Sequence, residues 1–152
     1  MGTYTFATLN TAIEDTLSTA TGITRSQDLS EITDNIPEGD LPLLQVYPQS
    51  WEGMGETAKN SFGSVSILQQ KQFVFHADIY VSTLTNFSQG MTKFVTIAQA
   101  ITDVLDAQKV RPLFGDSQQV IQNFKWSAER VVFEYSNQKF IGIRVTITLE
   151  IF

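Results

Sequence analysis

No cysteine occurs in the 152 residues, and histidine occurs once, at His76. Without thiols, disulfides and thiolate metal centres are excluded. A single imidazole cannot complete a typical zinc site. No apolar run approaches the roughly 20 residues of a membrane helix. Met1-Gly2-Thr3 is not followed by a basic and then an apolar stretch, so no secretory leader is expected. Cations are scarce: ten Lys and Arg stand against sixteen Asp and Glu, for a net charge of -6. Such a chain repels phosphate backbones, and ordinary nucleic-acid binding is not expected of it. The length suits one soluble domain, 1–152, with a core that needs no covalent staples.

Recognisable chemistry is equally sparse. Gly53-Met54-Gly55 lacks the further glycine and the strand–helix setting of a phosphate loop. No serine sits in a nucleophile elbow. Asp28, Glu31, Asp34, Glu38 and Asp40 are close together but do not follow the spacing of a calcium loop. His76 and Asp78 lie two apart on one strand face, where a carboxylate can orient an imidazole; a packing or pairing role is the stronger expectation for them. Trp51 and Trp126 read as packing residues, since few cations surround them. The sequence therefore suggests no catalytic, cofactor or metal site.

Periodicity is what the chain has. From Phe140 to Phe152, Ile141, Ile143, Val145, Ile147, Leu149 and Ile151 alternate with Gly142, Arg144, Thr146, Thr148 and Glu150. That alternation is a strand with one apolar face. Trp126 to Tyr135 reads as its hairpin partner, with Ser136-Asn137-Gln138-Lys139 as the turn, and Val120 to Phe124 as the start of another strand. Phe73, Phe75, Ala77, Ile79 and Val81 line one side of a strand over 70–82, with Val74, His76, Asp78 and Tyr80 on the other. Bulk on both sides predicts a central strand, or one covered by something outside the monomer.

Leu43 to Glu52 predicts a strand interrupted by Pro48, which either lies at an edge or bends there. Phe6, Leu9, Ile13 and Leu17 form a helical stripe capped at Thr3 or Thr8 and stopped by Gly22. Ile32 and Ile36 suggest a short helical turn, and Pro37 to Asp40 a tight one. Met91, Phe94, Val95, Ala98, Ile101, Val104 and Leu105 predict a helix opening at Asn86 or Ser88 and running to about Gln108. The order of elements implies an α+β fold, an antiparallel or mixed β-sheet with α-helices packed on one face.

This pattern resembles the tail-terminator and neck proteins of long-tailed bacteriophages. The resemblance rests on the N-terminal helix, the strand Leu43–Tyr47 ending in Pro48, the Gly-rich loop 53–64, the strand Phe73–Val81, the helix 91–105 and the closing hairpin Arg130–Phe152. It implies a ring-forming structural protein of the virion, made in the host cytoplasm. Such a protein is a homohexamer that caps the tail tube, joins it to the head connector or stopper protein, and lets DNA pass without binding it. On that basis Asp28, Glu31, Asp34 and Glu38 are candidates for an acidic lumen. Gly53, Met54, Gly55, Glu56 and Phe62 are candidates for a docking loop. Another neck or tail-completion role fits the same pattern. So does a small-ligand-binding domain with a pocket between the Phe-rich strand and the helix, or an enzyme using His76 and Asp78.

Overall fold

The computed structural model describes residues 5–27, 29–32, 36–53, 71–85, 87–108, 113–115 and 121–151. Among these residues are two α-helices, α1 (Phe6–Leu17) and α2 (Phe87–Asp106). Five strands, β1 (Arg25–Gln27), β2 (Leu43–Gly53), β3 (Lys71–Thr83), β4 (Ile121–Tyr135) and β5 (Gln138–Ile151), form one sheet in the order β1-β2-β3-β5-β4. β1 runs parallel to β2, and every other pairing is antiparallel. The expected α+β class, a mixed sheet with helices on one face, is what the chain adopts.

The core follows from alternation. Leu44 and Val46 of β2, Phe73, Phe75, Ala77, Ile79 and Val81 of β3, and Ile143 through Ile151 at every second position of β5 turn to one side. There they meet Leu9, Ile13 and Leu17 of α1 and Ile97, Ile101 and Leu105 of α2. β3 lies between β2 and β5, the central position expected of it; its helix-side residues join the main core, and Tyr80 on the other face joins a smaller cluster.

A smaller cluster forms on the opposite face at one end. There Ile36 covers Leu43, Tyr80, Phe133 and Phe140. Ile36 is thus an anchor on that face; the helical turn expected around Ile32 and Ile36 falls partly outside the described residues, and the tight turn expected over Pro37 to Asp40 is a 3₁₀ turn at Glu38–Asp40.

Several expectations need correction. The cap of α1 is Thr5, not Thr3 or Thr8: Thr8 N–H donates to Thr5 Oγ1 at 3.1 Å and Thr5 N–H donates to Thr8 Oγ1 at 2.8 Å. A threonine at the third helical position thus closes a reciprocal capping box usually completed by Glu or Gln. The helix ends at Leu17 with Ser18 as its cap, and Gly22 turns the chain further on with φ of 101°.

β1 was not anticipated, because three residues carry too little pattern. Its pairing with Leu43–Gln45 makes β2 the second strand; only the part containing Pro48 runs beyond β1, and the ladder shifts register between Pro48 and Ser50. In α2, Val95 is 62% exposed while Ile97 is buried. At about 100° per residue Val95 lies about 120° from Ile101 and Ile97 only about 40°. β4 is one continuous strand rather than two segments. The turn after it is two residues, Ser136 and Asn137, with φ of 52° and 67°. Both positive values belong to the turn whose twist matches paired strands, so Gln138 and Lys139 are already in β5.

Candidate functional site

The face of the sheet turned away from the helices carries the one polar network of note among the described residues. Register sets it up. Gln27 pairs with Gln45, Gln45 with Asp78, Asp78 with Arg144, and Arg144 with Glu129. A polar row therefore crosses all five strands in the order Gln27, Gln45, Asp78, Arg144, Glu129. Directly opposite residues in neighbouring strands stand about 4.5–5.5 Å apart at Cβ, close enough for their side chains to bond.

Gln45 Nε2 donates to Gln27 Oε1 at 2.8 Å, and both side chains are buried. Asp78, 2% exposed, is the hub. Arg144 donates to it through a fork, Nε to Oδ1 at 2.9 Å and Nη2 to Oδ2 at 3.1 Å. From the next row Tyr47 donates its hydroxyl to Asp78 Oδ2 at 2.6 Å and accepts from Arg144 Nη2 at 3.3 Å. His76, paired with Tyr47 across the ladder, places Nδ1 3.5 Å from the same hydroxyl. The Arg144 guanidinium also lies 5.4 Å from the centre of the Phe133 ring. A planar guanidinium suits both contacts, a bidentate carboxylate and an aromatic face.

The electrostatics follow from burial and from this pairing. Burial, with the hydrogen bond and charge of Asp78 adding to it, pushes the Tyr47 phenol up to about 12. Tyr80 is raised further, again chiefly by burial. The hydrogen bond to Asp78 holds the Arg144 guanidinium above its ordinary value. His76 is lowered, first by burial and then by the Arg144 charge, against a smaller opposing pull from Asp78 and Glu129. At neutral pH the cluster thus holds a cationic Arg144 bonded to Asp78, beside a neutral Tyr47 and a neutral His76. Asp78 and Arg144 spend their strong hydrogen-bonding capacity on each other and on Tyr47. Such a network fixes a surface in one arrangement without a covering layer.

His76 and Asp78 do share a face, as their spacing implies. The sequence reading missed Tyr47 and Arg144, which complete the cluster. One signal was present: Arg144 is the single long cation on the polar side of β5, between Gly142 and Thr146. Among the described residues no group of three or more His, Cys, Asp or Glu is placed to hold a metal ion.

The other candidates are scattered. Glu31 and Glu38 are exposed on the connection between β1 and β2, while Asp28 and Asp34 lie outside the described residues. Gly53 is the exposed last residue of β2. Met54, Gly55, Glu56 and Phe62 lie outside the described residues, as does most of the expected loop. Trp126 packs on the core, but Trp51 is 63% exposed, edge-on to Phe6 at 5.1 Å between ring centres.

The space between β3 and α2, where a ligand pocket was an alternative, is occupied by Phe75, Ile79, Ile97 and Ile101. Comparison of the chain with protein-family models finds no match, and comparison with curated proteins finds none.

Proposed function

We propose that the protein is a structural subunit that works as a closed homomeric ring, and that the ring is the tail terminator of a long-tailed phage. On this reading six copies cap the tail tube, meet the head connector above it, and leave an acidic passage for DNA.

The observation that carries the assembly part is β4. It is fifteen residues long, contains no proline, and among the described residues lies at the edge of the sheet. After one irregularity between Ile121 and Asn123 it stays in register with β5 to Tyr135. Alternate residues of such an edge present backbone N–H and C=O groups away from β5, a template for another chain. Folded domains usually blunt edges with proline, bulges, short strands or charged side chains; this edge carries Lys125, Glu129, Arg130 and Glu134 but is regular over thirteen residues. The phage part rests on the resemblance in the order of elements and on the acidic balance, which suits a passage that must not hold DNA.

The role of the polar row is structural on this reading. It keeps one sheet face rigid and wet while assembly proceeds elsewhere.

Native mass spectrometry and negative-stain microscopy test the reading. A ring of six 17.0 kDa chains, bound at the ends of purified tail tubes, is the expected result. A protein that stays monomeric at tens of micromolar, with tail tubes present, defeats it.

A further inference from the structure

We infer that the free protein pairs through β4 with β4 of a second copy, antiparallel about a two-fold axis at Ala128, so that two sheets continue as one. The inference goes beyond the ring reading and does not rest on it. A two-fold contact closes at two copies. The pair is therefore the form of the unassembled chain, and an edge held in it is withheld from any other partner.

The hairpin decides which groups face outwards. Its turn is Ser136 and Asn137, both at positive φ, and Tyr135 pairs with Gln138 to close it. In a two-residue turn of this kind the closing residues bond each other, and bonded and non-bonded pairs then alternate along the ladder. The odd-numbered residues from Lys125 to Tyr135 therefore turn their backbone groups towards β5. The even-numbered residues from Phe124 to Glu134 turn theirs away. From Phe124 to Val132 those same residues stand opposite Leu149, Ile147, Val145, Ile143 and Ile141, so their side chains lie on the helix side. There Ala128, Arg130 and Val132 are exposed, and Phe124 and Trp126 are half-buried. Outward backbone and a mostly apolar, half-covered stripe thus belong to the same residues, and one added strand serves both.

Length selects the partner. An added strand has to match an edge that is regular from Asn123 to Tyr135. At the opposite edge β1 has three residues, and beyond it β2 carries Pro48 and a register shift between Pro48 and Ser50. Proline has no N–H to give to a ladder. Of the two edges of the described sheet, only β4 offers β4 an unbroken partner of its own length.

Side chains set the register. A two-fold axis places one residue of the strand opposite its own copy. With Ala128 there, Trp126 stands opposite Arg130 of the partner subunit, and Phe124 opposite Val132 of the partner subunit; symmetry makes each pair twice. An indole attracts a guanidinium, and an aromatic beside a β-branched residue is a favourable cross-strand pair. On the other face Lys125 lies diagonal to Glu129 of the partner subunit, within reach of a long side chain. An axis at Glu129 or at Arg130 would set like charges directly opposite each other, which is destabilising. An axis at Ser127 or Trp126 carries Val132 past the end of the partner's regular stretch. Ala128, small and exposed, is the centre about which β4 is self-complementary.

Native mass spectrometry of the full chain without tail tubes tests the pairing. A particle of two 17.0 kDa chains is expected. Ala128→Glu and Ala128→Lys each bring like charges together at the axis, and each should raise the dissociation constant by about tenfold or more. Mixed in equal amounts they should restore a dimer with one chain of each kind, which mass distinguishes. A thermal midpoint near that of the parent checks that each variant folds. The absence of cysteine gives a second measurement, because a single introduced thiol can bridge only between copies. Ala128→Cys places two Cα atoms about 5.5 Å apart and should crosslink under mild oxidation. Ser127→Cys is displaced from its own copy by two residues along the ladder, beyond disulfide reach, and should not.

A free parent that is monomeric at tens of micromolar, or that forms rings of six without tail tubes, overturns the pairing and leaves the ring reading standing. A dimer insensitive to either charge at position 128, charge variants that do not pair when mixed, or crosslinking at 127 and not at 128 overturns the axis assigned to Ala128. A dimer that meets every expectation and never yields a ring on tail tubes upholds the pairing and defeats the ring reading.

Discussion

Asp78→Ala should remove the hub of the polar row and destabilise the fold by about 2–4 kcal/mol. The carboxylate accepts from Tyr47 at 2.6 Å and from Arg144 at 2.9 and 3.1 Å. Deleting one member of a buried ion pair costs about 3–5 kcal/mol when the other stays buried and uncompensated. Arg144 keeps 32% of its side chain accessible, so the guanidinium can turn towards water and relieve part of that cost. Tyr47 is half-buried and loses a charge-assisted hydrogen bond worth about 1.5–3 kcal/mol. For a chain of this length the midpoint should fall by about 5–15 °C.

Urea and thermal unfolding measure the loss, at one protein concentration because any assembled state stabilises by mass action. The discriminating variant is Asp78→Ala with Arg144→Met. It removes both charges and keeps an apolar stem beside Phe133. That pair should recover most of the loss and end within about 1.5 kcal/mol of the parent. A single variant within about 0.5 kcal/mol of the parent, or a double variant less stable than the single one, refutes the reading of the row as a coupled network.

Val145→Asp should cost several kcal/mol, since Val145 is fully buried between β3 and β4 beneath the helices and the charge would find no partner there. A melting point within a few degrees of the parent would mean that the register of β5 is wrong. Gly142→Ala should destabilise by about 1–3 kcal/mol. The added Cβ would come within 2.4 Å of the Ile79 carbonyl oxygen and 2.3 Å of the Phe133 ring; equal stability by chemical unfolding would contradict that packing.

Lowering the pH should weaken the fold through His76. Its folded value lies below the ordinary one of about 6.5, so in that window the unfolded chain takes up a proton that the folded chain does not. This contribution is fully present above about pH 6.5 and is lost as pH falls towards the folded value. His76→Gln should flatten the stability profile just below about pH 6.5, and an unchanged slope there would assign it to other groups.

Long alternating segments were legible in the sequence, and short or cross-strand features were not. β3 and β5 could be read residue by residue because period-two alternation over thirteen or fourteen residues has no helical equivalent. β1 has three residues, and nothing in Arg25-Ser26-Gln27 alternates; it is a strand because β2 offers its edge. The stripe of α2 was read with Val95 in place of Ile97, an error of side that leaves the element itself unchanged. The polar network depends on register between strands far apart in sequence, such as Asp78 and Arg144. Local pattern places each residue on a face but does not say which residue stands opposite.

The open face and the edges divide the work between them, and this bears on how copies meet. If copies stacked face to face, exposed apolar side chains should lie on the open face. The exposed large apolar residues among those described are Phe6, Leu29, Ile32, Trp51, Phe87, Val95 and Val132. Trp51 pairs with Phe73 on the helix side, and Val132 pairs with Ile141, the same side. Phe6, Phe87 and Val95 belong to the helices, and Leu29 and Ile32 to the connection after β1. The middle of the open face instead presents Tyr47, His76, Arg144 and Thr146, held by bonds within the chain or half-buried. A polar network satisfied internally gains little from a second layer, since a partner would have to replace its water without new pairing. Apart from Leu29 and Ile32, the exposed large apolar side chains among the described residues lie on the helix side of the sheet, and β4 is its outer strand, in regular register from Asn123 to Tyr135. Contact through the edges of the sheet is therefore the association these surfaces favour, and sheet-on-sheet stacking is the one they oppose.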